Sequence, residues 1–248
     1  MHATCAIAVM AKAPRPGRCK TRLVPPLRPE QAALLSAAFL RDVTENIALA
    51  ARAQAIAGYI AYAPRGLEHL FDGHLAAGTG RILADGSIAM PDAVQNFGRC
   101  LLHAIDTLLA QHHAAAIVLN SDSPNLPTEY LEQAAEILAQ PGDRAVIGPA
   151  VDGGYYLLGL KTPHAHLFED IVWSTGTVAE TTIRRAGEIG LDIVVLPTWY
   201  DVDDAASLAR LFEDFAQPAG GAYHAPATRA CLAALNLHGP AALKEQAW

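Results

Sequence analysis

Six apolar, β-prone runs punctuate the chain, and helical patterns fill most of the intervals between them. The runs are TCAIAVMA (4–11), AIAGYIAYA (55–63), AAAIVLNS (114–121), RAVIGPA (144–150), GYYLLGL (154–160) and LDIVVLP (191–197). They are almost continuously apolar, as strands covered on both faces must be. The helical patterns fall at 29–52, 93–111, 127–140, 176–190 and 203–216. Pro29 suits the first helical turn, and Gly142 and Gly190 suit stops after helices. Such alternation predicts an α/β fold, with a mostly parallel sheet and helices on both sides. No internal repeat is present. QPAGGAY (217–223) reads as a linker, and ATRACLAALNL beyond it reads as a terminal helix. The expected division is a single domain over 1–216 and a helical carboxyl-terminal extension over 217–248, there for packing or an oligomer contact such as a homodimer.

Charge then narrows the partners. The chain has 248 residues and a formal net charge of −7, so nothing attracts it globally to nucleic acid or to an anionic membrane. The apolar run 3–11 has no cationic segment before it and is too short to span a bilayer. A cytoplasmic protein is expected. Cysteines 5, 19, 100 and 231 form no CxxC pair and read as reduced, mostly buried thiols. The histidine pairs at 112–113 and at 164 and 166 read as surface or loop residues.

Against that acidic background, MAKAPRPGRCKTRL (10–23) gathers Lys12, Arg15, Arg18, Lys20 and Arg22 directly after the first strand. In an open parallel sheet, ligands bind beyond the carboxyl ends of the strands. The loop therefore reads as a phosphate site, its backbone restricted by Pro14 and Pro16 and given close approach by Gly17. It lacks the Walker A spacing. Asp122, in VLNSDSPNLP (118–127), stands at the end of the strand at 114–121, where a carboxylate can hold Mg2+ against phosphates; an Asx turn or helix cap is the structural alternative. Asp152, in GPAVDGGYYLLGL (148–160), belongs either to a hairpin turn or to the same edge. In YDVDD (200–204), Asp201 is the second candidate for a metal-facing carboxylate, while Asp203 or Asp204 caps the following helix. Trp173 and Trp199 could stack on a ligand, although packing is the commoner role.

Taken in order, MAKAPRPGRCKTRL, NSDSPNLP, GPAVDGGYYLLGL, LFEDIVWST and LPTWYDVDD resemble the bacterial DUF2064 group, transferases of the glycosyltransferase-A type related to the guanylyltransferases of deazaflavin-cofactor biosynthesis. The resemblance implies a nucleotide-diphosphosugar-transferase (GT-A) fold: a Rossmann-like three-layer α/β/α sandwich with a mostly parallel mixed sheet, binding a nucleotide with a divalent metal, Mg2+ or Mn2+. By position it puts Lys12, Arg18, Lys20 and Arg22 on the phosphates and Asp122 at the metal, with Asp152 and the YDVD carboxylates closing the pocket. NFGRCL (96–101) falls where relatives carry a DLGxRM-like stretch, so Asn96 is a nucleotide-binding candidate in a segment that departs from the pattern.

Three functions follow as expectations. In a nucleotidyltransferase, Lys20 assists transfer from an NTP to a small phosphate- or carboxylate-bearing acceptor, with release of pyrophosphate. In a glycosyltransferase using a sugar nucleotide, Asp152 is the base. The third is a nucleotide-binding protein without catalysis.

Overall fold

The computed structural model describes residues 4–217, 221–239 and 242. Within the expected extension, 218–220, 240–241 and 243–248 lie outside the described residues, and so does the middle of the QPAGGAY linker. The elements run β1 (Cys5–Lys12), α1 (Pro29–Ala50), β2 (Ile56–Ala63), β3 (Gly80–Leu83), α2 (Phe97–Ala110), β4 (Ala115–Leu119), α3 (Thr128–Ala139), β5 (Arg144–Pro149), β6 (Tyr155–Leu160), α4 (Val178–Glu188), β7 (Asp192–Val195), α5 (Ala205–Ala216) and α6 (Pro226–Ala234). Pro29 opens α1, and Gly142 and Gly190 take positive φ just after α3 and α4, as the sequence predicts.

The strands form one seven-stranded sheet in the order β3-β2-β1-β4-β6-β5-β7. β1 pairs parallel with β2 and β4, β2 with β3, and β5 with β7. β6 alone is antiparallel, against both β4 and β5. The sheet is therefore mixed but mostly parallel. β3 has no counterpart among the expected strands: four residues beginning with a glycine are too few to show a period. β7 ends before Leu196 and Pro197, since proline cannot donate to a ladder.

Alternate residues of β1 divide between two cores, as the pleat requires. Ile7 and Val9 face α1 and α3, joining Leu40, Val43, Ile47, Leu131 and Leu138. Ala6 and Ala8 face α2 and α4, joining Leu101, Ile105, Leu108 and Ala186. This makes three layers, helix on sheet on helix. A third core joins Leu35 and Phe39 of α1 to Tyr200, Val202, Leu208 and Leu211 around α5, and to Leu232 of α6. Each such side chain, fully buried, contributes about 1.5–3 kcal/mol. Asp42 of α1 fastens α6 by accepting hydrogen bonds from the amides of Ala227 (2.9 Å) and Thr228 (2.6 Å), donors that a helix start leaves unsatisfied.

Candidate functional site

Because β6 runs opposite to β4 and β5, the carboxyl ends of β1–β5 and β7 lie along one edge of the sheet, together with the amino end of β6. From β1 the chain crosses through α1 to β2 on one side; from β3 it crosses through α2 to β4 on the other. The order reverses between β1 and β4, and a crevice opens at such a switch point. The segments flanking it are the cationic loop after β1 and Asp122 after β4.

Lys20 reaches into this crevice. Its backbone is left-handed at φ 49, an uncommon conformation for lysine, and its side chain is only 4% exposed. Nζ donates to Asp122 Oδ1 (2.7 Å), Asp203 Oδ1 (2.8 Å) and the Val202 carbonyl (2.7 Å), and it lies 5.1 Å from the centre of the Phe39 ring. All three ammonium donors are thereby used. Burial alone would lower the Lys20 pKa, but the two carboxylates outweigh it and raise the value. Burial likewise acts to raise Asp203, yet the Lys20 charge and hydrogen bond carry it below the ordinary carboxylate range. Asp201 hydrogen-bonds to Asp203, and its carboxyl is pushed up to about 7 by burial and then by the neighbouring charges of Asp203 and Asp152.

The carboxylates are therefore arranged differently from the Asp122–Asp201 pairing expected from sequence. Asp122 meets Asp203 through Lys20, and Asp201 is the neighbour of Asp203. Asp204 is the helix cap, accepting from the Ser207 amide at 2.8 Å. Asp203, one of the YDVD carboxylates that the resemblance puts at the pocket and otherwise read with Asp204 as a candidate helix cap, is the one that meets Lys20. Among the described residues, no three carboxylate, imidazole or thiolate groups form a ready-made metal set.

Buried hydrogen bonds tie the two acidic segments together. The Val202 amide donates to the Asp122 carbonyl (2.8 Å), Ser123 Oγ to the Tyr200 carbonyl (2.8 Å), and Asn125 Nδ2 to Tyr200 Oη (2.8 Å) and Asp214 (3.1 Å). Tyr200 Oη also donates to Asp214. Asn120 Nδ2 donates to Ser123 Oγ (3.1 Å), and its buried Oδ1 has no partner. Asp152 is exposed on the turn between β5 and β6, where Oδ1 accepts from the Gly154 amide at 2.8 Å. A Cβ on Gly153, which has φ +87, would stand 2.1 Å from the Gly176 carbonyl oxygen, so this turn lies directly against the loop preceding α4.

Lys12, Arg15, Arg18 and Arg22 are exposed along the loop that buries Lys20. Gly17 has φ +69 and open space around it, so the backbone turn requires glycine there rather than any close neighbour. Asn96 is exposed at the start of α2 with φ 52 and ψ −126, a conformation glycine favours. Trp173 packs edge-on against Phe97, and Trp199 packs against Tyr130 and Tyr200. His113 pairs with Tyr59, His164 with Asp143, and His166 with Glu169 and Glu188. Cys5 and Cys19 are buried, Cys100 and Cys231 partly so, and none is in a disulfide. No described helix is long and apolar enough to cross a membrane.

The strand order, the single antiparallel strand and the acidic crevice at the switch point define a nucleotide-diphospho-sugar-transferase type of α/β fold. A candidate nucleotide-diphospho-sugar transferase from Desulfovibrio desulfuricans G20 is similar over 100% of this chain and 99% of its own, at 25% identity and a TM-score of 0.79. CMP:2-keto-3-deoxy-manno-octonic acid synthetase complexed with CTP shares the fold at 13% identity, over 87% of this chain and 100% of its own, with a TM-score of 0.53. A cytidylyltransferase from Leptospira borgpetersenii serovar Hardjo-bovis (strain JB197) shares it at 11% identity, over 95% and 96%, with a TM-score of 0.51. No curated protein matches the sequence. The chain belongs to the DUF2064 family, described as "Uncharacterized protein conserved in bacteria", whose model matches residues 46–175, just over half its length.

Proposed function

We propose that this protein is a metal-dependent nucleotidyltransferase, joining an NTP to a small phosphate- or carboxylate-bearing acceptor with release of pyrophosphate. One observation carries the reading: exposed cations and a partly exposed carboxylate pair share the crevice between β1 and β4. Lys12, Arg15, Arg18 and Arg22 suit a triphosphate, which bears about four negative charges at neutral pH. A net charge of −7 makes that attraction local to the loop. Asp122 and Asp203, with Asp201 alongside, offer hard oxygen donors suited to Mg2+ or Mn2+. They already converge on one cation, the Lys20 ammonium, and a bound nucleotide's phosphates would complete the oxygen donors that two carboxylates leave short. When bound, the ion would neutralise phosphate charge. The remaining work is positioning and charge stabilisation around the attacked α-phosphorus, with no nucleophile needed from the protein. Asn96, at the start of α2, is the candidate contact to the nucleoside.

A second reading, sugar transfer from a sugar nucleotide, is favoured by the description of the Desulfovibrio protein. Asp152, exposed on the β5–β6 turn, would then take the acceptor proton. Product analysis separates the two. Each NTP and each common sugar nucleotide is incubated with Mg2+ and a panel of phosphorylated, carboxylated and hydroxylated acceptors. Pyrophosphate released from one NTP, and lost in Asp122→Asn, is the expected result. Release of a nucleoside diphosphate from a sugar nucleotide alone, abolished in Asp152→Asn, would replace the first reading by the second.

A further inference from the structure

Lys20 bridges Asp122 and Asp203. Its ammonium meets one oxygen of each carboxylate and the Val202 carbonyl, within 2.7–2.8 Å. So coordinated, it has no donor left for a phosphate, although it sits in the loop whose other cations are exposed. The pair it bridges is fixed from behind, because the Val202 amide and Ser123 Oγ join the Asp122 and Tyr200 segments independently of Lys20. The carboxylates can thus stay converged without it. Lys20, by contrast, is held at the end of a flexible four-carbon stem; Cys19 before it is buried, whereas Arg18, Thr21 and Arg22 are exposed. An ion drawn to the same two Oδ1 atoms would stand beside the ammonium charge, and the repulsion between the two cations favours the departure of Nζ.

We propose that Lys20 is a placeholder cation: it neutralises Asp122 and Asp203 while no ion is bound, and it is released toward the phosphates when a divalent cation takes the pair. Lys20 thereby makes the phosphate grip depend on a loaded cation site, and the loop offers its last positive charge only then. This rests on the reading of Asp122 and Asp203 as a cation site.

The test uses the intact wild-type protein and Mg2+ or Mn2+ alone, without nucleotide. Bound Mn2+ is counted by electron paramagnetic resonance, and brief acylation with acetic anhydride, read by peptide mass spectrometry, reports the accessibility of each lysine. Without metal, Lys20 is acylated far more slowly than exposed Lys12; with saturating Mg2+ its rate rises several-fold while that of Lys12 is unchanged. Bound Mn2+ with no change at Lys20 would overturn the placeholder while leaving the cation site standing. Absence of bound Mn2+ would overturn both. Variants supply an independent readout: Lys20→Met tightens Mn2+ binding about tenfold, equivalent to about 1.4 kcal/mol, whereas Arg22→Met, which removes the same charge from the same loop, does not. Equal tightening in both variants, or none in Lys20→Met, contradicts direct competition.

Discussion

Asp203 and Asp204 are consecutive, chemically identical and differently employed. Asp204 spends its carboxylate on the Ser207 amide at the start of α5, whereas Asp203 turns inward to Lys20. Replacing Asp204 by alanine should lower stability by about 1 kcal/mol, the usual cost of a lost N-cap, and leave nucleotide binding intact. Replacing Asp203 by asparagine should abolish Mn2+ binding and also lower the melting temperature, because it takes a charged partner from the buried Lys20. Melting curves and Mn2+ titrations on the two variants check both; an unchanged Mn2+ affinity in Asp203→Asn would remove Asp203 from the site. In the sequence these residues are interchangeable, because two aspartates before a helix satisfy the same capping rule. Asp122 and the basic loop were legible as strand-end residues, but the contact between Lys20 and residues 122 and 203 depends on tertiary packing that no local pattern encodes.

At the scale of elements, the loop leading to α4 is held from two directions. Gly153 lies against Gly176, and His166 joins the turn at 165–168 to α4 through Glu169 (2.7 Å) and Glu188 (2.8 Å). Gly153→Ala adds a methyl group where a carbonyl oxygen stands, in a positive-φ position, so it should cost about 1–3 kcal/mol and be visible as a lower melting temperature. Stability equal to wild type would mean that the turn moves away without cost. The hydrogen bonds to Glu169 and then Glu188 hold the His166 pKa above its ordinary 6.5. A raised folded value means that this contribution is complete below about pH 6.5 and fades as pH climbs through the folded pKa. Wild type should therefore lose stability relative to His166→Gln over that rise; parallel pH–stability curves would contradict the linkage. Long apolar runs made most strands and helices readable. β3 escaped because it is a four-residue edge strand, and the reversed direction of β6 was signalled only by the Asp-Gly turn ahead of it.

For the whole molecule, topology explains how an acidic chain can hold an anionic ligand. The reversal of strand order between β1 and β4 brings one cationic loop and a set of aspartates from distant parts of the sequence to one crevice, in a chain whose overall net charge is −7. Attraction between the exposed Lys12, Arg15, Arg18 and Arg22 and a polyphosphate is screened by salt, with a Debye length of about 8 Å at physiological ionic strength. Nucleotide affinity should accordingly weaken as salt rises, and an affinity independent of salt would argue against the loop as the phosphate contact. The most direct measurement is the thermal shift of wild type and Asp122→Asn across NTPs, NDPs and sugar nucleotides, each with and without Mg2+. Ligand at about a hundred times its dissociation constant adds roughly 2.7 kcal/mol, well within reach of a melting curve. The crevice as a metal-dependent nucleotide site predicts a Mg2+-dependent rise for one NTP in wild type and none in Asp122→Asn. Melting temperatures unmoved by every nucleotide, or moved equally in both proteins, would contradict it.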